Sequence, residues 1–254
     1  MSTSKVETAN ASGGYRYIPA VSQYSAGVAA LPGFRLERVR FSKPVALREG
    51  FERIEAIIKA TGAPLNSFAA CELRSPAPFT EQGFKDFNAV YTGVLSSWGV
   101  IGDGVNPVSR SNVCPAVNPP AEPSFHAFTF AVKDDNAAPS FVIAGSAEAA
   151  EGGKSYAETT VRLGETTPDA IREKAIWVLN EMERRMSPFD GTWANTTAVQ
   201  IYTVHDIHPF VEDELGRRGA LANGMTWFFN RPPVNCLEYE MDVRRIHVER
   251  IVDV

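Results

Sequence analysis

Cysteine is scarce. Cys71, Cys114 and Cys236 are the three in 254 residues, an odd number without a Cys-x-x-Cys pair, which argues against a disulfide framework and against a zinc ribbon. Long apolar runs are missing too: Gly, Pro or charge interrupts every stretch before the ~18–20 residues that a membrane span needs. No basic segment leads into an apolar run at the start, so no signal peptide is predicted. Positive charge does not predominate, with 25 Lys+Arg against 30 Asp+Glu and a net charge of −5. That balance offers no electrostatic footprint for nucleic acid. The expected setting is the cytoplasm. Histidine is sparse as well. His205 and His208 stand at i, i+3 with no further ligands clustered in sequence, so no metal site is expected. Gly102-Asp103-Gly104 lacks the spacing of a phosphate loop and is read as a turn.

What is present is a near-average globular composition, 44% hydrophobic and 22% charged, in a chain long enough for one large domain or two smaller ones. The first 14 residues are small and polar and read as a loosely held arm. Phe34 to Ser42 alternates apolar and charged residues, the pattern of a half-buried strand. After Pro44 a helix is predicted, with Phe51, Ile54, Ile57 and Ile58 on one face and Gly62 at its C-terminal cap. Asn66 to Leu73 suits a buried strand. Thr80 is placed to cap a helix carrying Phe84, Phe87, Tyr91, Val94 and Trp98 at alternating spacings of three and four. Strands are expected near Asn112 to Ala116 and over Phe125 to Val132.

The second half repeats that order. Phe141 to Ala144 is a short strand, and Thr167-Pro168 opens a helix with Ile171, Ala175, Val178 and Met182 on one face. Thr196 to Val204 is a β-branched strand. A helix over His208 to Leu221, a strand over Met225 to Phe229 and a last strand around Leu237 to Val243 complete the reading. Helix Phe51 answers to helix Ile171, strand Phe68 to strand Val199, and Pro119-Pro120 to Pro232-Pro233. Such a spacing is far longer than solenoid periods of ~20–50 residues, so it predicts a duplicated domain rather than a repeat array. The polar Lys133 to Pro139 stretch is the expected join, giving domains 15–135 and 136–254, each an α+β unit of order β-β-α-β-α-β-β.

Ser22 to Val28 (SQYSAGV), the strand ending at Ser42, Phe87-Asn88-Ala89-Val90-Tyr91, and Ser109-Arg110-Ser111-Asn112-Val113 together resemble the Rid family of enamine/imine deaminases. The resemblance covers most of 15–132 and, more weakly, 140–254. It implies a chorismate-mutase-like fold, a trimer with sites between subunits, and hydrolytic deamination without metal or cofactor. The two-domain arrangement resembles the members that act on 2-aminomuconate and its 5-chloro derivative. No residue pattern separates chlorinated from unchlorinated substrate. A general deaminase of 2-aminoacrylate-type imines and a small-ligand binding module are the competing readings.

Carried over residue by residue, Arg110 matches the family's substrate arginine, whose planar, permanently charged fork suits a carboxylate. Tyr24 matches a pocket tyrosine, although an aromatic packed under the arm reads equally well. Ser42 and Asn88 match polar positions, Ser111 or Ser42 would assist Arg110 at the carboxylate, and Asn88 also suits an inward hydrogen-bonding helix residue. The family's acid on the closing strand is absent from the first half, where Ser124-Phe125-His126-Ala127-Phe128 stands. His126 is a candidate proton carrier or a satisfied core histidine. Glu72 and Arg74, expected on one strand face, suit an internal ion pair, or a base for water and a second cation for a dicarboxylate. The second half carries Asn223-Gly224 where Arg110 would fall, so it is expected to be a degenerate copy. Its Glu238 and Glu240 read as ordinary strand charges, unless rings mixing both halves set them opposite Arg110.

Overall fold

Alternation and helical stripes set the elements of the computed structural model, which describes residues 9–102, 104–150 and 155–254. Most of the polar arm (residues 1–8) and Asp103 of the expected turn lie outside the described residues. The first half supplies β1 (Ala9–Asn10), β2 (Tyr15–Ile18), β3 (Gly27–Ala30), β4 (Phe34–Ala46), α1 (Leu47–Ala60), β5 (Phe68–Arg74), α2 (Glu81–Ser97), β6 (Ser109–Pro115) and β7 (Ser124–Lys133). The second supplies β8 (Phe141–Ala147), α3 (Tyr156–Thr159), α4 (Pro168–Met186), β9 (Ala198–Tyr202), β10 (Thr226–Phe228), β11 (Asn230–Arg231), β12 (Glu240–Arg245) and β13 (Val248–Val252). The result is a mixed α+β architecture.

The helices start where side chains can satisfy the first free amides. Thr80 accepts from Gly83 N ahead of α2, and Thr167 accepts from Ala170 N ahead of α4, with Pro168 in the first turn. The predicted apolar faces are buried: Phe51, Ile54 and Ile58 on α1, Phe84, Phe87 and Tyr91 on α2, and Ile171, Ala175, Val178 and Met182 on α4. Gly62 ends the first helix with φ +76°, a conformation that suits glycine.

Several elements differ from the sequence reading. The stretch His208 to Leu221 is not an α-helix: Val211–Gly216 winds as one wide π-type turn between ordinary turns. Gly216 and Gly219 supply no helix propensity there, and Arg217 N reaches back five residues to Glu212 O. The closing strand begins at Glu240 rather than near Leu237, and a further strand, β13, follows it.

Strand pairing produces two sheets, one ordered β11-β6-β5-β7-β4-β13 and the other β1-β2-β3-β8-β12-β9-β10. Within the first, β4, β7 and β5 are successively antiparallel and β6 lies parallel to β5. Within the second, β8, β12 and β9 are successively antiparallel and β10 lies parallel to β9. The two four-strand sets therefore share order and directions. The sheets do not divide at the Lys133–Pro139 stretch, because β2 and β3 join the sheet of the second half and β13 pairs parallel with β4 in the first.

Each sheet buries one face under its own helices. α1 and α2 cover Val39, Leu73, Phe125 and Phe128, while α4 covers Ile143, Val199, Ile201 and Val243. The inner faces meet across a small apolar cluster that includes Tyr15, Val28, Leu36 and Ile246. Tyr15 donates across it to Phe68 O at 2.9 Å. Beside this cluster the contact between the sheets turns polar, and there the candidate site forms. Among the described residues no helix is long and apolar enough to cross a membrane.

Candidate active site

Arg110 sits on β6 in register with Cys71 of β5, and its side chain runs into the aromatic face of α2. Its guanidinium carbon lies 4.8 Å from the Tyr91 ring centroid, 5.2 Å from Tyr24, 5.6 Å from Phe84 and 5.7 Å from Phe87. Ring faces stabilise a cation but accept no strong hydrogen bond. Only 3% of Arg110 is exposed, and Nη1 and Nη2 have no hydrogen-bond partner among the described residues. A buried guanidinium with free N–H groups is costly unless an anion arrives. The arrangement leaves Nη1 and Nη2 of Arg110 suited to an anionic partner.

Arg110 lines a cavity together with Tyr24, Phe84 and Asn112 from the first half, and with Gly145, Ala147, Ala149, Tyr156, Pro233, Leu237 and Glu240 from the second. Glu240 opens β12, opposite Ala147 of β8 and Tyr202 of β9. Burial is the main force that lifts its carboxyl well above the usual carboxylate range, with Asp242 and Glu148 adding to it and Arg74 and Arg110 pulling the other way. Burial therefore favours the protonated form of Glu240 relative to an exposed carboxyl. The backbone beside it is glycine: a Cβ on Gly145 would meet Glu240 Oε1, the far end of that side chain, and crowd the Ser111 backbone, so it would displace the carboxyl.

Asn112 is buried, and its Oδ1 accepts from Ser75 Oγ at 2.9 Å. Glu148 anchors the loop on the second-half side. Its carboxylate accepts from the backbone N of Glu238 at 2.8 Å and of Tyr239 at 3.0 Å, and lies 3.2 Å from Lys174 Nζ, both side chains being fully buried. That clamp fixes the approach to Glu240.

A second, smaller cavity lies between the sheets and is lined by residues that include Glu72, Ser111, Asp242 and Arg244. Arg38 holds Glu72 with two hydrogen bonds, 2.6 and 2.9 Å, and keeps its carboxyl far below the usual range against the opposing effect of burial. Ser111 Oγ donates to Asp242 at 2.5 Å and Tyr202 OH donates to the same oxygen at 2.8 Å. Asp242 is nevertheless raised to about 6, first by burial and then by the charge of Glu72.

The residues singled out from sequence separate into two groups. Tyr24 and Arg110 come together at the first cavity. Ser111 neighbours Arg110 on β6 but is engaged with Asp242, since successive strand residues point to opposite sides. Glu72 pairs with Arg38 instead of Arg74, and both its oxygens are occupied, which leaves no free base there. Arg74 donates to Leu73 O and stacks on Tyr202 and Phe228, at 5.4 and 5.2 Å, behind the cavity wall. His126 is pushed down to about 3, mainly by burial and then by Arg74, so it is a neutral ring and does not line the cavity. Asn88 is buried on α2 without a side-chain hydrogen-bond partner among the described residues, also off the cavity wall. Ser42 is exposed at the irregular step of β4, where the register with β7 shifts between Arg40 and Val45.

Glu240 corrects the reading of that strand as carrying ordinary surface charges. The signal was present: Glu240, Asp242 and Arg244 alternate with Met241 and Val243, so a strand apolar on one side turns three charges toward a buried partner. Glu238 is tied to His205 at 2.8 Å and to Arg231 at 3.1 Å. Burial lifts the Cys71 and Cys114 thiols to about 12, which leaves both protonated. Among the described residues no three His, Cys, Asp or Glu side chains converge as metal ligands would.

The family model described as 2-aminomuconate deaminase CnbZ matches residues 7–250. A 2-amino-5-chloromuconate deaminase of Comamonas testosteroni is 51% identical over 234 residues, which span 91% of this chain and 93% of that protein.

Proposed function

The chain belongs to the 2-aminomuconate deaminase CnbZ family, and on that premise we propose that it is a hydrolytic deaminase that releases ammonia from 2-aminomuconate or a 5-chloro derivative. The observation that carries the reading is the pairing, on one cavity, of a buried guanidinium, Arg110, whose Nη groups have no hydrogen-bond partner among the described residues, with a buried acid, Glu240, whose carboxyl burial lifts well above the usual range.

A 2-amino-diene carboxylate is an enamine. Arg110 takes the carboxylate next to the amino-bearing carbon, with bidentate hydrogen bonds from the Nη groups that have no acceptor among the described residues. Glu240 gives its proton to the enamine carbon, which leaves an iminium and a carboxylate. Water then attacks the iminium carbon while Glu240 takes up its proton, and the resulting carbinolamine collapses to a 2-oxo acid as ammonia departs. Proton transfer by one placed group contributes roughly 10²–10⁴-fold. Tyr24 and the rings of α2 keep the guanidinium in place. Glu240 thereby takes the role that Glu72 and His126 were expected to share.

The same reading takes the two halves as duplicated Rid-type units that have exchanged β3 and β13, supported by the shared order and directions of β4-β7-β5-β6 and β8-β12-β9-β10. It makes the second half a contributor of Glu240 rather than a spent copy. A cytoplasmic trimer of such chains completes it, and light scattering of the purified protein tests that stoichiometry.

Purified protein mixed with enzymatically generated 2-aminomuconate should release one ammonia per substrate, with loss of the diene-amine absorbance. Binding without ammonia release, or release from 2-aminoacrylate alone, would refute the assignment.

A further inference from the structure

Asn112 lies two residues beyond Arg110 on β6, and both line the same cavity. Its Oδ1 is taken by Ser75 Oγ at 2.9 Å, which fixes the amide plane. Its Nδ2 is buried and has no hydrogen-bond partner among the described residues. A buried donor without an acceptor costs stability, so its retention on a cavity wall calls for a ligand acceptor. Among the described residues Arg110 supplies the single cationic side chain of that wall. A six-carbon dienedioate brings two carboxylates, and Arg110 can serve one. Two residues along a strand are about 6.8 Å apart, comparable with the length of an extended six-carbon chain.

We propose that Asn112, oriented by Ser75, donates a hydrogen bond to the second carboxylate of a dienedioate whose first carboxylate rests on Arg110, and so sets the preference for diacids over monoacids. The proposal rests on the deaminase reading and names the substrate contact at the far end of the same site. A neutral amide is well suited to that place. A further guanidinium on the cavity wall would add to the pull of Arg74 and Arg110 on the Glu240 carboxyl, whereas an amide binds the carboxylate without changing the charge of the site.

The test is a comparison of affinities for 2,4-hexadienedioate and 2,4-hexadienoate, six-carbon acids without the amino group, measured by titration calorimetry on the full chain. Wild type should bind the diacid at least about 10-fold more tightly, as expected for a hydrogen bond to a charged group. N112D, which replaces the donor by an acceptor, and N112L should bring the ratio close to one, and S75A should lower it. A wild-type ratio near one would overturn the proposal. So would a ratio unchanged in N112D and N112L, including the case where both ligands weaken equally because the variants are merely misfolded. Ammonia release from 2-aminomuconate by wild type, followed in parallel, judges the deaminase reading separately; its absence sinks that reading while the affinity ratios still decide the role of Asn112.

Discussion

Arg110 on β6 and Glu240 on β12 line one cavity from different sheets, the first a buried cation whose Nη groups have no hydrogen-bond partner among the described residues, the second a buried acid that burial shifts toward its protonated form. The two come from different halves of the chain, and in the proposed reaction they serve as anion receptor and proton donor.

Replacing Arg110 tests the receptor. Arg110→Lys keeps the charge but loses the planar fork and its packing among four rings. Loss of a buried, charge-assisted contact costs roughly 2–5 kcal/mol, so kcat/KM for 2-aminomuconate should fall at least about 30-fold in the lysine variant and further in Arg110→Ala. Steady-state ammonia release measures it, and wild-type rates in either variant would remove Arg110 from the site.

Glu240→Gln separates proton transfer from binding. Its kcat should drop by roughly 10²–10⁴-fold with a much smaller change in KM. Because the folded carboxyl holds its proton at higher pH than the unfolded chain does, its contribution to stability is complete at low pH and is lost as pH rises through the raised value. The variant should therefore gain thermal stability over wild type as pH increases. Equal melting curves at every pH would contradict the buried, protonated state.

Asp242 offers a second pH test with a defined window. Its carboxyl is raised to about 6, so its stabilising contribution is full below the unfolded value of about 3.9 and disappears as pH rises through about 6. Asp242→Asn keeps an acceptor for Ser111 and Tyr202 and removes the titration. The melting temperature of wild type, relative to this variant, should fall between pH 4 and pH 7.

Gly145→Val probes the close approach of the sheets. The added side chain would collide with Glu240 and press on the Ser111 backbone. Activity should fall at least about 10-fold, in line with the sensitivity of catalysis to small displacements. A variant with full kcat would mean that Glu240 can move away without consequence.

Glu148 and Lys174 form a fully buried pair that clamps the chain ahead of Glu240. Removing one partner strands the other charge, so Lys174→Met or Glu148→Ala alone should cost about 3–5 kcal/mol in urea unfolding. The double variant should recover part of the loss contributed by Lys174→Met, since no charge is then left unpaired.

The helices were readable because their information is local. Phe51, Ile54 and Ile58, or Ile171, Ala175 and Val178, mark a buried face at helical spacing, and Thr80 and Thr167 mark where the first amides are capped. The segment at Val211–Gly216 was not, because a wide turn and an α-helix share one apolar pattern and differ only in how the backbone closes. Arg110 and Tyr24 were singled out from the chain itself. Glu240 was misjudged, since a charge on a strand looks alike whether that face meets water or another sheet.

The amino-acid sequence by itself determined the central strands of each half and the helical stripes, and it singled out Arg110. Periodicity and capping act within a few residues, so these features are local. The tertiary structure alone decided that β3 and β13 cross to the opposite sheets, that Arg38 rather than Arg74 takes Glu72, and that Glu240 and Asn112 join Arg110 at one cavity. The physical reason is that a periodic pattern specifies which face is buried but not what it is buried against. The charge state of a carboxyl depends wholly on that partner.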